Sequence, residues 1–394
     1  MSLFDKFQTL AKDREALLSV GFDPFGTPIE KVFSPTEAQI DGRRIILAGT
    51  NNYLGLTFNE NCLRAAHDAI DNQGTGTTGS RMANGSFAGH RALEQEMAEF
   101  YGCRAGIVFT TGYQANLAVI TGLTAPGDVI VIDADCHASI YDGCKMSGAD
   151  IVRFKHNDAS DLDKRLKRLG ERAENALIIV EGIYSMLGDR APLPEIVEVK
   201  NRYGSLLVVD EAHSLGVLGE KGQGLVEETG MLAETDFVVG TFSKSLGSIG
   251  GYCVSNHPEL DFLRYSSRPY VFTASPSPSV IASTREALKL LEAGTDLRKN
   301  LWNNANRLYS SLEALGYQLG PEVSTVVAVM LDTREQALGF WRGLLEHGIY
   351  VNLVFPPATP GDKSLVRCSV SAAHTDEQID TICTAFKNLR EIAA

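Results

Sequence analysis

The sequence lacks the features that would mark a membrane, secreted, zinc-binding or nucleic-acid-binding protein. No uncharged apolar run reaches the ~18 residues that a membrane-spanning helix needs, and no signal-peptide core is present. The seven cysteines contain no C-x-x-C pair, so neither a disulfide framework nor a metal site is predicted. A formal net charge of −13 argues against a nucleic-acid partner, because such binding depends on clustered Lys and Arg. We therefore expect a protein of the reducing cytoplasm.

The composition is that of a folded protein with a large core. Of the 394 residues, 44% are hydrophobic and 22% charged, which predicts one large domain with a smaller one attached. The first twenty residues have apolar side chains at helical spacing, with acidic and basic residues balanced between them. This balance favours packing on protein, with at most peripheral contact with a membrane.

Lys244 lies in the segment TFSKSLGSIGG, residues 241–251, between hydroxyl residues and before three glycines. Lysine forms a reversible imine with pyridoxal phosphate, and the hydroxyls of Thr241, Ser243 and Ser245 are suited to bind a phosphate. For an isolated Ser-Lys pair, a solvated lysine in a polar loop is the common alternative. The other motifs of the chain favour the first interpretation.

Asp210 ends an apolar run, SLLVVDEAHS (205–214), that is typical of a parallel strand buried on both faces. Open α/β sheets bind ligands at this edge, and a carboxylate there can hold a pyridine nitrogen protonated. His213, three residues further on, can reach the phenolate oxygen of the same cofactor. A Walker B strand would require a G-x-x-x-x-G-K-[ST] loop, which the chain lacks. A helix-capping aspartate would leave Lys244 unexplained.

Three further segments place candidate residues at strand ends. TTGYQANLAVI (110–120) predicts a helix N-terminus at which the backbone N–H groups of Gly112 and Tyr113 bind phosphate. DADCHASIYDG places His137 where its imidazole can stack on a pyridine ring and transfer protons. EGIYSMLGD (181–189) places Ser185 at a fourth strand end. The alternative for each side chain is structural, either hydrogen bonding or turn formation.

The segment GTGTTG, residues 74–79, matches the glycine pattern of dinucleotide-binding proteins. It follows a helical segment rather than a strand, so we reject a nicotinamide site. The glycines instead predict a loop that continues through SRMANGSFAGH.

Apolar strand-like runs alternate with helical segments from about residue 105 to 256, which predicts the α/β class and a mainly parallel, doubly wound sheet of seven strands. The runs are GIVFTTGY, DVIVIDAD, DIVRFKHN, LIIVEGIYS, LLVVDEAH, FVVGTFSK and GGYCVSN. We expect an N-terminal helix and extension over residues 1–45, a large cofactor-binding domain over 46–285 and a small C-terminal α+β domain over 286–394. An amphipathic stretch over 283–316 is expected to form a helix leading into the small domain.

Nine blocks in this order and spacing resemble the α-oxoamine synthases, pyridoxal-phosphate enzymes of fold type I. They are NNYLG (51–55), GTGTTGSRMANG, TTGYQAN, DADCHASIYDG, EGIYSMLGD, VVDEAHS, GTFSKSLGSIGG, RPYVFTAS (268–275) and LVRCSVSAAHT (365–375). The resemblance implies that Lys244 bonds pyridoxal 5'-phosphate covalently. It also implies the remaining roles: Asp210 at the pyridine nitrogen, His213 at the phenolate oxygen, His137 stacked on the ring, Ser185 as a further cofactor contact, Gly112, Tyr113, Thr241 and the partner subunit's Thr273 at the phosphate, Asn52 at the substrate, and Arg367 at the substrate carboxylate.

The resemblance implies a decarboxylative Claisen condensation of an amino acid with an acyl thioester, in a homodimer with shared active sites. EGIYSMLGD, SRMANG and the PPATP loop (356–360) are most similar to members that join L-serine to palmitoyl-CoA or another long-chain acyl-CoA, giving 3-ketodihydrosphingosine. The alternatives within the family are 2-amino-3-ketobutyrate CoA ligase, 8-amino-7-oxononanoate synthase and a quorum-signal aminoketone synthase. A fold-type-I aminotransferase or aldolase would share Lys244 and Asp210, whereas a non-catalytic partner subunit would be expected to lack the lysine.

One position departs from the family pattern. Several bacterial members of this serine-using group have arginine immediately before the PPATP loop, where this chain has Phe355. We therefore expect Arg367 to be the guanidinium that holds the substrate carboxylate, and Phe355 to line the acyl entrance.

Overall fold

The computed structural model describes residues 2–18, 26–356, 358–359 and 361–393. Within them the strands, in chain order, are β1 (Lys31–Ser34), β2 (Glu37–Ile40), β3 (Arg43–Leu47), β4 (Ala105–Phe109), β5 (Val129–Asp133), β6 (Asp150–Phe154), β7 (Leu177–Glu181), β8 (Leu206–Asp210), β9 (Phe237–Thr241), β10 (Gly251–Ser255), β11 (Val326–Leu331), β12 (Ile349–Tyr350), β13 (Asn352–Val354) and β14 (Ser364–Ser369). The α-helices are α1 (Phe7–Leu18), α2 (Glu60–Gln73), α3 (Ala88–Tyr101), α4 (Gly112–Leu123), α5 (Ala138–Ser147), α6 (Ala159–Leu169), α7 (Leu193–Tyr203), α8 (Leu225–Glu228), α9 (Leu263–Ser266), α10 (Arg268–Val271), α11 (Pro278–Ala293), α12 (Thr295–Ala314), α13 (Arg334–Glu346) and α14 (Asp376–Ala393).

The centre of the fold is a seven-stranded sheet in the order β4-β10-β9-β8-β7-β5-β6. Strand β10 runs antiparallel to both of its neighbours, and the other neighbouring strands are parallel. Each of the seven predicted runs contains one of these strands, so the predicted mainly parallel sheet is confirmed. Its β-α-β connections bring the carboxyl ends of the parallel strands to a common edge.

Both faces of this sheet are covered, which explains why its strands are continuously apolar rather than alternating. Successive residues of β5 enter opposite cores: Val129 and Val131 pack in one hydrophobic cluster, Ile130 and Ile132 in the other. Helices α6 and α7 contribute to the first cluster, and α4 and α5 to the second. The chain is therefore doubly wound, as the alternation of strands and helices predicts.

Two smaller sheets flank the central one. Strands β11, β14 and β13 form an antiparallel sheet, which holds Arg367 within β14. The other small sheet has the order β1-β2-β3-β12, in which β12 is parallel to β3. This pairing ties the N-terminal extension to the C-terminal part of the chain.

The long helix expected over residues 283–316 is two helices. Helix α11 ends at Ala293, Gly294 lies between them, and α12 begins at Thr295. Glycine is disfavoured within a helix, and here it separates two different environments: α11 packs against α2 and α3, whereas α12 packs against α14. The boundary expected at residues 285 and 286 lies within α11, and the division into three parts stays a prediction.

The glycine-rich segment forms a loop, as predicted. Residues 74–87 contain neither helix nor strand between α2 and α3. The loop is held by the RPYVFTAS segment, since Ser275 donates its backbone N–H to Gly79 and its hydroxyl lies 2.7 Å from that of Thr77. Helix α2, and not a strand, lies immediately before these glycines, so the strand-turn-helix arrangement of a dinucleotide site is not formed.

Candidate active site

A cavity of about 310 Å³ opens at the carboxyl edge of the central sheet. It is lined by seven of the eleven residues singled out in the sequence: Gly112, Tyr113, His137, Asp210, His213, Thr241 and Lys244. They come from loops that follow β4, β5, β8 and β9, and from the ends of β8 and β9. Parallel topology brings these distant segments to one place.

One end of the cavity is suited to an anion. Helix α4 begins at Gly112, and its first backbone N–H groups have no partner within the helix. The N-cap residue Thr111 accepts a hydrogen bond from the N–H of Gln114 at 3.1 Å. The hydroxyls of Thr241 and Ser243 lie 2.8 Å apart at the same cavity. The helix N-terminus and the Ser243 hydroxyl provide donors for a phosphate, whereas the Thr241 hydroxyl donates to a backbone carbonyl oxygen at 2.8 Å.

Gly112 allows this helix end to approach the sheet. A Cβ atom placed on Gly112 would lie 2.7 Å from the Cβ atom of Thr241, closer than side chains pack. Any larger residue would move the helix N-terminus away from the hydroxyl groups. The glycine is therefore required for a close approach rather than for a left-handed backbone.

Asp210 is buried at the end of β8, and each of its carboxylate oxygens accepts a hydrogen bond. The backbone N–H of Ala212 donates to Oδ1 at 2.9 Å, and the amide of Asn116 donates to Oδ2 at 2.7 Å. The two bonds fix the plane of the carboxylate. An ionised carboxylate at the cavity wall can accept a proton-bearing ring nitrogen.

Asn116 also connects Asp210 with His137. Its amide nitrogen lies 3.0 Å from the hydroxyl of Ser139, which lies 2.8 Å from Nδ1 of His137. The backbone N–H of Ser139 donates to the same Nδ1 at 3.2 Å. Burial lowers the pKa of His137, and an acceptor role at Nδ1 places the proton of the neutral ring on Nε2.

Sequence reasoning missed Asn116 and Ser139, although a signal was present for each. Asn116 follows Gly112 by four residues and so lies one helical turn along the same face of α4. Ser139 is in the first turn of α5, for which His137 is the N-cap.

Glu181 fixes the backbone of the His137 loop from the end of β7. It is buried and accepts a hydrogen bond from the N–H of His137. Burial, together with the nearby charge of Asp210, raises the pKa of Glu181 well above its usual value. Strand β7 therefore contributes a carboxyl group that positions the His137 loop, in addition to pairing with β5 and β8 in the sheet.

Lys244 is half-buried in the cavity wall, in the loop between β9 and β10. Withdrawal of its amine from water lowers the pKa to about 8, while the nearby carboxylates of Asp210 and Glu181 act in the opposite direction. A substantial fraction of the amine is thus neutral near physiological pH. Neutral amine is the form that attacks a carbonyl.

His213 is held by Tyr53, another residue that sequence reasoning left without a role. The Tyr53 hydroxyl lies 2.7 Å from Nδ1 of His213, and both side chains are buried. Burial lowers the pKa of His213 well below its usual value, and the positive charge of Lys244 lowers it further. His213 therefore faces the cavity as a neutral ring.

Arg367 and Ser185 lie together beside this cavity rather than within its lining. Nε of buried Arg367 donates to the carbonyl oxygen of Ser185 at 2.6 Å, and Nη2 donates to Asn51 at 3.2 Å. These bonds use two of the five guanidinium donors. Asn51, in the NNYLG block, was not singled out in the sequence.

A second cavity, of about 450 Å³, shares His137 with the first. Its lining includes the loops that follow β5 and β7, together with Ala358 and Thr359. Ser185 lines this second cavity, so its role as a cofactor contact stays a prediction. The two cavities place separate binding spaces on either side of one imidazole.

Asn52, Thr273 and Phe355 occupy other positions. Asn52 is buried and donates to Thr57 at 2.8 Å, and the half-buried Thr273 accepts a hydrogen bond from Gln114 at 3.2 Å. Phe355 is buried, with the Arg334 guanidinium 4.6 Å from its ring centre. Its expected place at the acyl entrance stays a prediction. Two residues of the PPATP loop, 357 and 360, lie outside the described residues.

The residues of the first cavity fit pyridoxal phosphate. The helix N-terminus and hydroxyls suit its phosphate, Asp210 suits its ring nitrogen, and Lys244 suits its aldehyde. Asn116 Oδ1 is buried and has no hydrogen-bond partner among the described residues, so a polar acceptor remains at the cavity wall. Within the same part of the chain, no three His, Cys, Asp or Glu side chains are grouped as metal ligands.

Comparison with known proteins agrees with this geometry. The model of the family "aminotransferase class I and II" matches residues 43–386. A serine palmitoyltransferase of Caulobacter vibrioides is 54% identical, over 98% of this chain and 96% of that protein. A high-resolution structure of SPT with pyridoxal phosphate superposes with a TM-score of 0.97 at 48% identity, over 100% of this chain and 99% of the other. An 8-amino-7-oxononanoate synthase of Alkaliphilus metalliredigens is more distant, at 38% identity over 90% of each chain.

Proposed function

Because the chain belongs to the class I and II aminotransferase family, and to the α-oxoamine synthases within it, we propose that it is an acyltransferase that condenses L-serine with a long-chain acyl-CoA. With palmitoyl-CoA the products are 3-ketodihydrosphingosine, coenzyme A and carbon dioxide. The observation that carries this proposal is the convergence of Lys244, Asp210 and His137 on one cavity. The identity to a serine palmitoyltransferase, higher than to the 8-amino-7-oxononanoate synthase, favours serine as the amino acid.

Pyridoxal phosphate, when bound, supplies an electron sink for the charge left on the serine Cα. Asp210, whose carboxylate is oriented by two hydrogen bonds, would maintain the proton on the ring nitrogen. His213, held by Tyr53, would contact the phenolate oxygen. The N-terminus of α4 and Thr241 would hold the phosphate.

Lys244 has two tasks that both require a neutral amine. It would hold the aldehyde carbon of the cofactor, and its free amine would take the Cα proton of serine at Nζ. A pKa of about 8 suits both, because the amine exchanges protons readily near neutral pH. Lys244 lines the cavity, and the lowered pKa of its amine supports this role.

Arg367 is the candidate for holding the serine carboxylate. Its guanidinium is oriented by Ser185 and Asn51, which fixes the direction of the remaining donors. A planar fork of donors pairs with a carboxylate through two parallel hydrogen bonds. We propose the second cavity for the acyl thioester, because His137 lines both cavities.

A homodimer with shared active sites is part of the proposal. Large apolar side chains are exposed near the first cavity: Tyr113 and Ile249, which line it, and Phe272, beside Thr273. A second copy of the chain would cover such side chains. Inactive Lys244→Ala protein mixed with an inactive Asn52 or Thr273 variant should then regain activity through heterodimers. A fully active monomer in light scattering would refute the shared site.

A cytoplasmic location is also proposed, on the basis of the cysteines. All seven are free thiols, as expected in a reducing compartment. Among the described residues, no helix has both the length and the apolar character needed to cross a bilayer.

The proposed reaction is tested by thiol release from purified holoenzyme. L-serine, glycine, L-alanine and L-threonine are each combined with acyl-CoA substrates of increasing chain length, and the aminoketone product is identified by mass spectrometry. We expect the highest kcat/KM with serine and a long acyl chain, and none with the Lys244→Ala control. Preferred use of another amino acid would refute the substrate assignment, and keto-acid exchange without acyl-CoA would indicate an aminotransferase.

A further inference from the structure

An imidazole that lines neither cavity lies between two carboxylates at the edge of the sheet, and one of these carboxylates, that of Asp189, lines the second cavity. Nδ1 of His156 is 2.8 Å from Oδ1 of Asp133, and Nε2 is 2.6 Å from Oδ2 of Asp189. Asp133 is the last residue of β5, His156 follows the end of β6 by two residues, and Asp189 follows β7. This triad of Asp133, His156 and Asp189 therefore joins the ends of three parallel strands.

The geometry of the triad indicates a doubly protonated ring. An ionised carboxylate only accepts hydrogen bonds, so each ring nitrogen that faces one must donate. The carboxylates accept from other donors as well: the backbone N–H of Asn157 bonds Asp133 at 2.8 Å, and its side-chain amide bonds Asp189 at 2.8 Å. With two carboxylates and one imidazolium, each hydrogen bond in the triad has one donor and one acceptor.

The other groups facing the ring support this charge state. Asp135 lies 3.8 Å from Nδ1, and the Tyr184 ring meets the imidazole edge to face at 4.5 Å between centres. Burial on its own lowers the pKa of His156, but the bonds and charges of Asp133 and Asp189 outweigh it and raise the pKa to about 10. The ring therefore remains an imidazolium at neutral pH.

Two loops that line the second cavity each include one of these carboxylates. Asp133 begins the loop that follows β5, and Asp189 ends the turn that follows β7. Asp133 accepts the backbone N–H of Asp135 at 2.9 Å, at the start of the turn that leads to His137. Asp189 closes the turn that begins at Tyr184, through a 2.9 Å bond between its carbonyl and the N–H of Tyr184. That second turn carries Ser185, whose carbonyl orients Arg367.

We propose that His156 is a positioning residue whose imidazolium fixes the His137 loop relative to the Ser185 loop, and thereby orients Arg367 toward the substrate carboxylate. This inference rests on the proposed function, in which Arg367 binds the carboxylate of serine. His156 lines neither cavity, so it acts through the loops and not by contact with the reactants. Among the described residues, His156 forms the ionic link between Asp133 and Asp189, and removing the ring would leave them joined only through the hydrogen bonds of Asn157.

The first measurement determines the charge of the ring in the holoenzyme. Protein labelled with 15N at histidine is compared with a His156→Gln variant, so that the signals lost identify His156. We expect two protonated ring nitrogens up to about pH 9, one unit below the pKa given by the two carboxylates. A neutral ring at pH 8 would overturn the inference, whatever amino acid the enzyme uses.

The second measurement separates positioning from general stability. The dissociation constant of L-serine, read from the cofactor spectrum, should rise at least tenfold in His156→Gln and in Asp189→Asn. Cofactor content should be retained, because the residues that bind it are unchanged. The matched control is His257→Gln: His257 pairs with Asp236 at 2.9 Å at the start of β9, the opposite edge of the same sheet, and its replacement should change the affinity less than twofold.

The outcomes distinguish this inference from the proposed function. Unchanged serine affinity in both triad variants, with normal cofactor content, would refute a positioning role. If His156→Gln does not fold, Asp189→Asn decides alone, since it preserves the shape of the side chain. If wild-type protein binds another amino acid instead of serine, the substrate assignment fails, and the same comparison is made with that amino acid.

Discussion

The rate at which cofactor-free protein captures pyridoxal phosphate should rise with pH through a midpoint near pH 8 and reach a plateau at about pH 9. Only the neutral amine of Lys244 attacks the aldehyde, and burial lowers its pKa to about 8. Below pH 8 most of the amine is the unreactive ammonium, and about one pH unit above the pKa roughly nine-tenths of it is neutral. An ordinary exposed lysine would keep gaining reactivity up to roughly pH 10.

The expected difference is large at neutral pH. At pH 7 an amine with a pKa of about 8 is about 9% neutral, whereas one with a pKa of ~10.4 is about 0.04% neutral. At pH 7, Lys244 should thus have about 200 times more neutral amine than an exposed lysine. The rate of cofactor capture should increase about tenfold between pH 7 and the plateau. Asp210 favours the ammonium, so Asp210→Asn should shift the midpoint to lower pH.

The measurement is a stopped-flow absorbance series in which apoprotein is mixed with cofactor between roughly pH 6 and 9.5. Nα-acetyl-lysine serves as the model amine, and Lys244→Ala as the control that forms no covalent product. A capture rate that still increases without levelling off up to about pH 9.5, or one that parallels the model amine, would show that the amine of Lys244 is not withdrawn from water as the structure indicates.

Three further changes test other parts of the site and the fold. Arg367→Ala should weaken L-serine binding by about ten- to more than a hundredfold, the typical cost of losing a charged hydrogen bond, and Arg367→Lys should weaken it less; unchanged affinity in a spectral titration would exclude Arg367 as the carboxylate holder. Asn116→Ala should lower kcat about tenfold or more, because Asp210 loses the hydrogen bond that orients it, and Asn116→Asp should lower kcat further by placing a second carboxylate beside Asp210. Steady-state kinetics that match wild type would contradict a role for Asn116 in orienting Asp210. Glu94→Ala should lower the free energy of unfolding by about 3–5 kcal/mol, because buried Arg81 loses the carboxylate that lies 2.9 Å away. Urea titration measures this loss, and a value below about 1 kcal/mol would contradict a structural ion pair.

The central sheet could be predicted from sequence because its strands are buried on both faces. Continuous apolar runs, each followed by polar residues, identify both the strand and the end at which a ligand binds. Asp210 and Thr241 are the last residues of β8 and β9, and His137 follows β5 by four residues. Topology then determines that these ends meet, so proximity in space follows without any contact being known in advance.

The residues that sequence reasoning missed are those defined by contact rather than by strand position. Asn116 bonds Asp210 across 94 positions of the chain, and Tyr53 bonds His213 across 160. Asn116 is within a helix and Tyr53 within a loop, and neither type of residue is chemically distinctive in isolation. Only the packing of α4 on β9 and β10, and the contact of Tyr53 with His213, assigns them a role.

The break between α11 and α12 was missed for a related reason. A helical pattern of apolar residues continues on both sides of Gly294, so periodicity favours one long helix. The glycine lowers helix stability locally by only about 1 kcal/mol, so tertiary packing decides whether the helix continues or ends there. Here the two halves pack against different helices, and tertiary contacts decide in favour of the break.

The hydrogen bonds of the first cavity give its ionisable groups different surroundings. Asp210 accepts two N–H bonds, whereas His137 accepts at Nδ1 and keeps its proton on Nε2. Lys244, withdrawn from water, titrates near pH 8 and is the group that can both lose and regain a proton during turnover. Environments that separate neighbouring titratable groups in this way are how one site combines acid and base chemistry at neutral pH. Asn116 connects the carboxylate to the imidazole through Ser139, so a change at any member of this chain should alter the protonation of the others and not only its own contacts.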